Sequence, residues 1–171
     1  TDEYQHGKRG ALMAAKIAAE MGWSSERCEK MLYAGMIHDC GVSRSREQRL
    51  LSATLEWPGA QKHCLRGADF LAACPPLDHF AKIVFWHHTR WEDLLREEID
   101  EATRLEANLI FLVDRADVLL APYFVGATLK NEILWEYPAI IERIVGLTGT
   151  LFSPHLIDAF YRASARESFW L

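Results

Sequence analysis

The sequence lacks the features that mark membrane, disulfide-rich and β-sheet proteins. No apolar run approaches the roughly 18 residues that a membrane-spanning helix needs, so no span is predicted in residues 1–171. The four cysteines form no Cys-x-x-Cys pair; with no signal-peptide pattern at the N-terminus, they are predicted to be reduced thiols, most of them buried. No stretch of alternating residues is long enough to propose a strand. These absences favour a helical protein of the cytoplasm.

Basic charge is also scarce. The chain has 19 Lys and Arg residues against 24 Asp and Glu residues, a formal net charge of -5, whereas a protein dedicated to DNA normally carries a basic face. Half of the residues are apolar, enough to bury one good core, so residues 1–171 are predicted to form a single domain. The chain begins TDEYQHGKRG without an initiator Met, and we expect it to be an excised piece of a longer protein.

Helical periodicity runs through almost the whole chain and predicts an all-α bundle of about seven helices. In the first helix, Ala11, Leu12, Ala15, Ala18 and Ala19 share one side, and Gly22 is a stop signal. Ser24–Ser25 can cap the second helix, and Ser153–Pro154 can open the last. A polar segment, 41–59, and a charged loop, 89–101, interrupt the pattern. The predicted helices cover residues 3–21, 26–39, 60–73, 77–88, 103–121, 129–146 and 154–166.

Histidines and aspartates recur at the ends or in the apolar stretches of these helices. The pair His38-Asp39 ends the second helix, and the double histidine His87-His88 ends the fourth. Asp114 lies in the apolar segment ANLIFLVDRAD, where a buried carboxylate needs a partner or a metal. Imidazole nitrogens and carboxylate oxygens are ligands of Zn, Fe, Mn, Co and Ni. The pattern therefore predicts a helical metallohydrolase core.

Each residue also has an ordinary structural interpretation. His6 taken singly is more typical of a surface histidine, and His38-Asp39 is about as consistent with a hydrogen-bonded helix end. His87 and His88 point about 100° apart on a helix, so both serve one site only if it holds several ions or if the helix ends there. His79 and His155 lie near helix starts and are predicted at the surface. The occurrence of all these residues together is much less expected by chance than the occurrence of any one of them.

The order of these motifs resembles the HD-domain phosphohydrolases, and specifically the HD-GYP subgroup, the cyclic di-GMP phosphodiesterases of bacterial signalling. The matching stretches are His6-Gly-Lys-Arg9, Ala34-Gly-Met-Ile-His38-Asp39-Cys-Gly41, His63-Cys-Leu-Arg-Gly67-Ala68, Trp86-His87-His88, Ala107-Asn-Leu-Ile-Phe-Leu-Val-Asp114-Arg-Ala-Asp117-Val-Leu and Gly149-Thr-Leu-Phe-Ser-Pro154-His-Leu-Ile-Asp-Ala-Phe160. The resemblance covers nearly the whole chain. It implies the compact HD-domain fold.

The resemblance also implies a metal site. Its ligands would be His6, His38, Asp39, His63, His87, His88 and Asp114, with Asp39 and His38 as the catalytic pair and Asp39 bridging two ions. Asp2 could reach a third ion, and Asp117 would orient a ligating histidine. Mixed imidazole and carboxylate donors without a thiolate favour iron or manganese over zinc. The implied partners are a nucleotide or cyclic dinucleotide and an N-terminal sensory or receiver domain.

Three departures from the HD-GYP pattern concern substrate binding. Val42 stands where the family normally has a lysine, Thr89-Arg90-Trp91 replaces the Gly-Tyr-Pro motif, and Ala121 replaces an arginine. Each lost cation removes a charge-assisted hydrogen bond to phosphate worth roughly 1.5–3 kcal/mol. The candidates for substitute contacts, including aromatic rings that could stack a base, are Arg44, Arg46, Arg66, Arg90, Trp91 and Tyr123.

Three hypotheses follow. The first is a metal-dependent phosphodiesterase or phosphohydrolase that acts on a cyclic dinucleotide or another nucleotide through activated water. The second is a signalling output module that binds metal but has little or no cyclic di-GMP hydrolysis. The third is an all-α structural or sensory domain in which these residues are ordinary polar core groups, which the intact ligand set disfavours.

Overall fold

The computed structural model of the chain describes residues 3–43, 51, 55–56, 59–124 and 129–170. The predicted all-α fold is confirmed, because the one strand-like pairing in these ranges is an isolated bridge between Thr148 and Phe152. Two short 3-10 helices, Asp78–Phe80 and Ala121–Phe124, join longer elements. The α-helices bounded within the described ranges are α1 (Glu3–Glu20), α2 (Ser25–Ile37), α3 (Gln61–Ala72), α4 (Ala81–Trp86), α5 (Trp91–Leu94), α6 (Glu101–Leu120), α7 (Leu129–Val145), α8 (Pro154–Ser164) and α9 (Glu167–Trp170).

Seven of these helices correspond to the predicted segments, and the differences are local. Ser24 caps α2 as predicted, accepting a hydrogen bond from the Arg27 backbone N–H at 3.3 Å. Helix α6 begins two residues earlier than predicted because the Asp100 carboxylate accepts a hydrogen bond from the Thr103 N–H at 2.8 Å. The prediction of one helix over 77–88 is wrong, since a 3-10 turn precedes α4 and α4 ends at Trp86. The predicted loop 89–101 contains the short helix α5.

Helix α6 lies at the centre of the fold. Every residue from Glu106 to Asp117 is buried, and α1, α2, α4 and α7 all pack against it. A helix that is buried all round should be apolar, yet α6 carries Asp114 and Asp117 into this core. Buried carboxylates are costly unless they are paired or bind a metal. Asp114 and Asp117 therefore each need a positively charged partner inside the core.

Helix α1 packs against α2 through small residues. Its buried face is formed by Ala11, Ala14, Ile17 and Ala18, whereas Leu12 is 55% exposed and Ala19 is also exposed. The prediction that Leu12 and Ala19 lie on the same side of α1 as Ala11 and Ala18 is therefore wrong. In an alanine-rich helix the sequence does not show clearly which face is buried, because several faces are apolar. Gly22 ends α1 with φ at 72°, as the stop signal predicted.

The backbones of α1 and α2 meet at Gly35. A Cβ atom on Gly35 would lie 2.6 Å from Ala11 Cα and 2.8 Å from Ala11 N, distances at which one helix must move. We therefore expect Gly35→Ala to lower the free energy of unfolding by about 1–3 kcal/mol. Gly10→Ala on α1 is the matched control. Its Cβ would meet nothing closer than Val113 Cγ2 at 3.9 Å, so a gain of about 0.5–1 kcal/mol is expected from helix propensity. Urea unfolding of the metal-free proteins measures both, and equal effects of the two variants would contradict this packing.

All four cysteines are free thiols, as predicted. The prediction that most are buried is wrong, because only Cys64 is buried while Cys40 is exposed and the other two are half-buried. Burial raises the pKa of the Cys64 thiol, and the Asp39 and Asp114 carboxylates raise it further. The thiol is therefore held in its neutral form. No helix in the described part of the chain is long and apolar enough to cross a membrane.

Candidate metal centre

The seven side chains predicted as metal ligands gather at one place in the fold. They come from α1, from the turns after α2 and α4, from α3 and from α6. Their donor atoms form two groups, each with all donors within 4.8 Å of one another. We define the first group as Asp39, His63, His87 and His88, and the second group as His6, His38 and Asp114.

The turns that follow α2 and α4 orient one histidine each toward the candidate metal centre, and they do so through the same kind of hydrogen bond. His38 follows α2, and its Nδ1 lies 2.8 Å from the Gly35 carbonyl oxygen. His87 follows α4, and its Nδ1 lies 2.6 Å from the Val84 carbonyl oxygen. Because a carbonyl only accepts, Nδ1 carries the proton in the neutral form of each imidazole and Nε2 then presents a lone pair. His38 and His87 are also the C-cap residues at which α2 and α4 end.

Glycines bring the turn after α2 against α3. A Cβ atom on Gly41 would lie 2.0 Å from the His63 carbonyl oxygen and 2.5 Å from Gly67 N, so only glycine permits this approach. Arg66 closes the same contact, since its Nε donates to the Gly41 carbonyl at 2.8 Å. Gly67, one turn after His63, thus admits a neighbouring backbone. This approach places Asp39 beside His63.

The distances between donors fit shared cations. His63 Nε2 lies 3.3 Å from His87 Nε2 and 3.4 Å from Asp39 Oδ1. In the second group, His6 Nε2 lies 3.1 Å from Asp114 Oδ1. Ligands bound at about 2.1 Å to one ion stand roughly 3–3.4 Å apart when the angle between them is near 90–110°. Asp39 Oδ1 is also 3.7 Å from His38 Nε2, so one carboxylate oxygen lies close to both groups.

Several donors are buried without a hydrogen-bond partner among the described residues. These atoms are His38 Nε2, Asp39 Oδ1 and His88 Nε2. Leaving a buried polar group unsatisfied costs roughly 1–3 kcal/mol, and three such atoms converge here. A divalent cation would satisfy them together. The residues present therefore fit a metal centre.

The protonation states of the histidines differ between the groups. Burial disfavours protonated His6, but hydrogen bonds to Asp114 and Asp117 outweigh it and raise the pKa of His6 to about 10. Burial opposes protonation of His38 in the same way, and Asp39 and Asp114 raise its pKa. Burial instead lowers the pKa of His88 to about 3 and holds that of His87 well below its usual value. His87 and His88 are thus neutral, and a cation bound by the second group would displace protons from His6 and His38.

Asp117 and Arg9 orient His6. Asp117 Oδ2 lies 2.6 Å from His6 Nδ1, and the Arg9 guanidinium donates to both Asp117 oxygens, at 2.5 and 2.9 Å. This pairing fixes the imidazole so that its Nε2 faces Asp114. Arg9 was not among the predicted site residues. Its position one helical turn after His6 was the available signal, because residues three apart share a helix face.

Asp114 is held by its own neighbour in sequence. Arg115 is 1% exposed, and its Nε and Nη2 both donate to Asp114 Oδ2. Although burial raises the pKa of the Asp114 carboxyl, the Arg115 charge and the adjacent His38 and His6 imidazoles hold it well below its usual range. Asp114 Oδ1 remains directed at His6 and His38. Arg115 too was not predicted.

Removing Asp117 should weaken the centre without emptying it. In Asp117→Ala, His6 loses its orienting carboxylate while its Nε2 is retained, so we expect metal affinity or activity to fall about 10–100-fold. Metal titration of the chelator-treated protein measures the affinity. The control is Asp158→Ala, since Asp158 is an exposed carboxylate on α8. An effect no larger than that of the control would contradict the orienting role.

The structure gathers the seven candidate metal ligands at one place, but it does not gather the described substrate-contact candidates there. Arg44 and Arg46 lie outside the described residues, as does Asp2, the predicted ligand of a third ion. Arg66 binds the Gly41 carbonyl, and Arg90 pairs with Glu56 and Glu92. Trp91 is half-buried, and the Tyr123 hydroxyl donates to Glu136 at 3.3 Å. His79 is more than half exposed and His155 is exposed, as predicted.

Comparisons with known proteins agree with this arrangement. A family model described as the HD domain matches residues 4–119, which include all seven candidate ligands. Over 175 aligned residues the chain is 34% identical to the 3'3'-cGAMP-specific phosphodiesterase 1 of Vibrio cholerae. The alignment covers 99% of this chain and 39% of that protein, so the chain spans about two fifths of the relative's length. No solved structure matches the chain significantly.

Proposed function

The chain belongs to the HD domain family, and from this premise we propose that it is a metal-dependent phosphodiesterase that hydrolyses a 3'3'-linked cyclic dinucleotide. The observation that carries the proposal is the pair of adjacent donor groups, which share access to Asp39 Oδ1. Two ions a few ångströms apart are a recurrent arrangement in enzymes that hydrolyse phosphate esters. The substrate class follows from the relative, which is named for its activity on 3'3'-cGAMP.

We propose two ions per chain. The first group would hold one through His63, His87, His88 and Asp39, and the second would hold the other through His6, His38 and Asp114. Asp2, outside the described residues, remains the candidate ligand of a third. Iron or manganese is favoured because the donors are imidazole and carboxylate. When bound, the ions supply Lewis acidity, which lowers the pKa of the attacking water and offsets the charge of the phosphoryl oxygens.

The residues of the chain have separate tasks in this proposal. Asp39 would bridge the groups and reduce the repulsion between two cations. His38 and His87 keep their Nε2 lone pairs directed inward because their Nδ1 protons are engaged by backbone carbonyls. Asp117 and Arg115 fix the orientation of His6 and Asp114. Such preorganisation keeps the donors in place before the substrate arrives.

The cations that the HD-GYP family uses for phosphate are replaced here by Val42 and Ala121. Both cations that sequence analysis suggested within the described range, Arg66 and Arg90, make protein contacts instead. The bound metals would therefore supply most of the positive charge that the substrate meets. The HD-GYP assignment and a flanking sensory or receiver domain remain proposals.

Metal-dependent turnover tests the function directly. Protein loaded with iron or manganese should hydrolyse both 3'3'-cGAMP and bis(p-nitrophenyl) phosphate, and chelator treatment should abolish both activities until metal is restored. Product formation is followed by chromatography and by absorbance, respectively. A metal-loaded protein that cleaves neither diester would instead match the hypothesis of a silent output module.

A further inference from the structure

A cavity of about 470 Å³ opens beside the metal centre. It lies between the turn that follows α4, the start of α3 and the core helix α6. Its described lining includes Glu56, Gln61, His88, Arg90, Asp93 and Phe111. His88 connects the cavity to the first group of ligands, because its side chain is 6% exposed and its Nε2 has no hydrogen-bond partner among the described residues. A molecule in the cavity would therefore lie next to the proposed ions.

The charge of this cavity does not suit a phosphate. Two carboxylates, Glu56 and Asp93, line it beside one guanidinium. Asp93 Oδ1 also accepts a hydrogen bond from Arg96 Nη1 at 2.8 Å, so its other oxygen, Oδ2, is the acceptor that it offers to the cavity. That guanidinium, on Arg90, already lies 3.2 Å from each oxygen of Glu56 and 2.8 Å from Glu92 Oε1. Two carboxylates, those of Glu56 and Glu92, thus neutralise its positive charge. The lining favours a neutral group that carries N–H donors over an anion.

The inner wall suits a flat aromatic ring. Phe111 is 1% exposed and packs edge-on against His88, with ring centroids 5.3 Å apart, and Ala60 is 5% exposed. Nucleobases bind proteins through apolar faces combined with polar contacts at their edges. The cavity has both components, an apolar wall and acidic acceptors at the side.

We propose that this cavity is the subsite for a guanine base of the dinucleotide, with the Glu56 and Asp93 carboxylates as acceptors for its N1–H and N2–H groups. Guanine presents these donors side by side on one edge, where a carboxylate can accept from both. Adenine presents an unprotonated N1 at the corresponding position, and its lone pair would face the carboxylate. Arg90 acts as a positioning residue that holds Glu56. The proposal rests on the proposed function, because the phosphodiester must reach the metals while the base enters the cavity.

Binding of mononucleotides tests the subsite without turnover. Calorimetry with metal-loaded protein should show GMP binding more tightly than AMP. In Asp93→Asn and Glu56→Gln, GMP affinity should fall about tenfold or more while AMP affinity does not fall, since one good base contact gives discrimination of this order. Asp158→Asn on α8 removes the same charge from an exposed position and should leave both affinities unchanged.

Kinetics give an independent measurement. The ratio of kcat/KM for 3'3'-cGAMP to that for bis(p-nitrophenyl) phosphate should fall about tenfold or more in the two subsite variants and stay constant in Asp158→Asn. Equal affinity of the wild type for GMP and AMP, or variants that keep the wild-type preference, would overturn the subsite. A wild type that prefers GMP but cleaves no diester would overturn the proposed function and leave the subsite supported.

Discussion

Asp39→Ala is expected to yield a folded protein that retains less than one metal ion per chain and has no measurable phosphodiesterase activity. Asp39 Oδ1 lies within 3.9 Å of nitrogen donors from three histidines, His38, His63 and His87. Its loss would remove a donor common to both groups and leave the repulsion between two cations without compensation. The effect should exceed the roughly 10–100-fold expected for Asp117→Ala, which acts through His6.

The side chain of Asp39 is 21% exposed, so its removal leaves no large cavity in the core. Far-ultraviolet circular dichroism and thermal unfolding of the metal-free proteins should therefore match between wild type and variant. Asp158→Ala is again the matched control and should retain full metal content. Unchanged metal content in Asp39→Ala would show that the assignment of this carboxylate is wrong.

Cyclic di-GMP is expected to be a poor substrate compared with 3'3'-cGAMP, by about tenfold or more in kcat/KM. Two phosphate-binding cations of the HD-GYP pattern are absent at Val42 and Ala121, so affinity must depend more on the bases. The proposed subsite beside His88 would hold one guanine, and a second guanine would need further acceptors elsewhere. One base contact discriminates by roughly 1–3 kcal/mol. Small activated diesters should also be cleaved, because they need little binding energy from remote groups.

Side-by-side assays of metal-loaded protein with both cyclic dinucleotides at micromolar concentration measure this selectivity. Rapid turnover of cyclic di-GMP would contradict it. Such a result would indicate that Arg44, Arg46 or another basic residue contacts the phosphates in place of the missing cations.

Much of the fold could be predicted because helix periodicity and caps are local properties. Ser24, Gly22 and Pro154 correctly placed helix ends. The shortening of the helix in segment 77–88 could not be predicted from periodicity. A 3-10 turn, Asp78–Phe80, precedes α4, and after Trp86 the His87 side chain bonds to the Val84 carbonyl. The orientation of α1 was also missed in part. Its many alanines make several faces equally apolar, and contact with Gly35 selects one of them.

The candidate ligands could be named from the sequence because imidazoles and carboxylates in apolar helices are unusual. Their division into two groups could not, because it depends on which helix ends meet in space. Arg9 and Arg115 were missed for a related reason. Asp114 is buried and His6 is half-buried, but a sequence does not show that a nearby guanidinium can reach the same carboxylates. Glu56 and Asp93 belong to polar segments whose convergence on one cavity appears only in the fold.

Anomalous diffraction from crystals of the metal-loaded protein, recorded at the iron or manganese absorption edge, shows directly whether the two groups hold two ions. We expect at least two peaks a few ångströms apart. One should be surrounded by His63, His87, His88 and Asp39, and the other by His6, His38 and Asp114. A single peak, or peaks bound by other residues, would contradict this expectation.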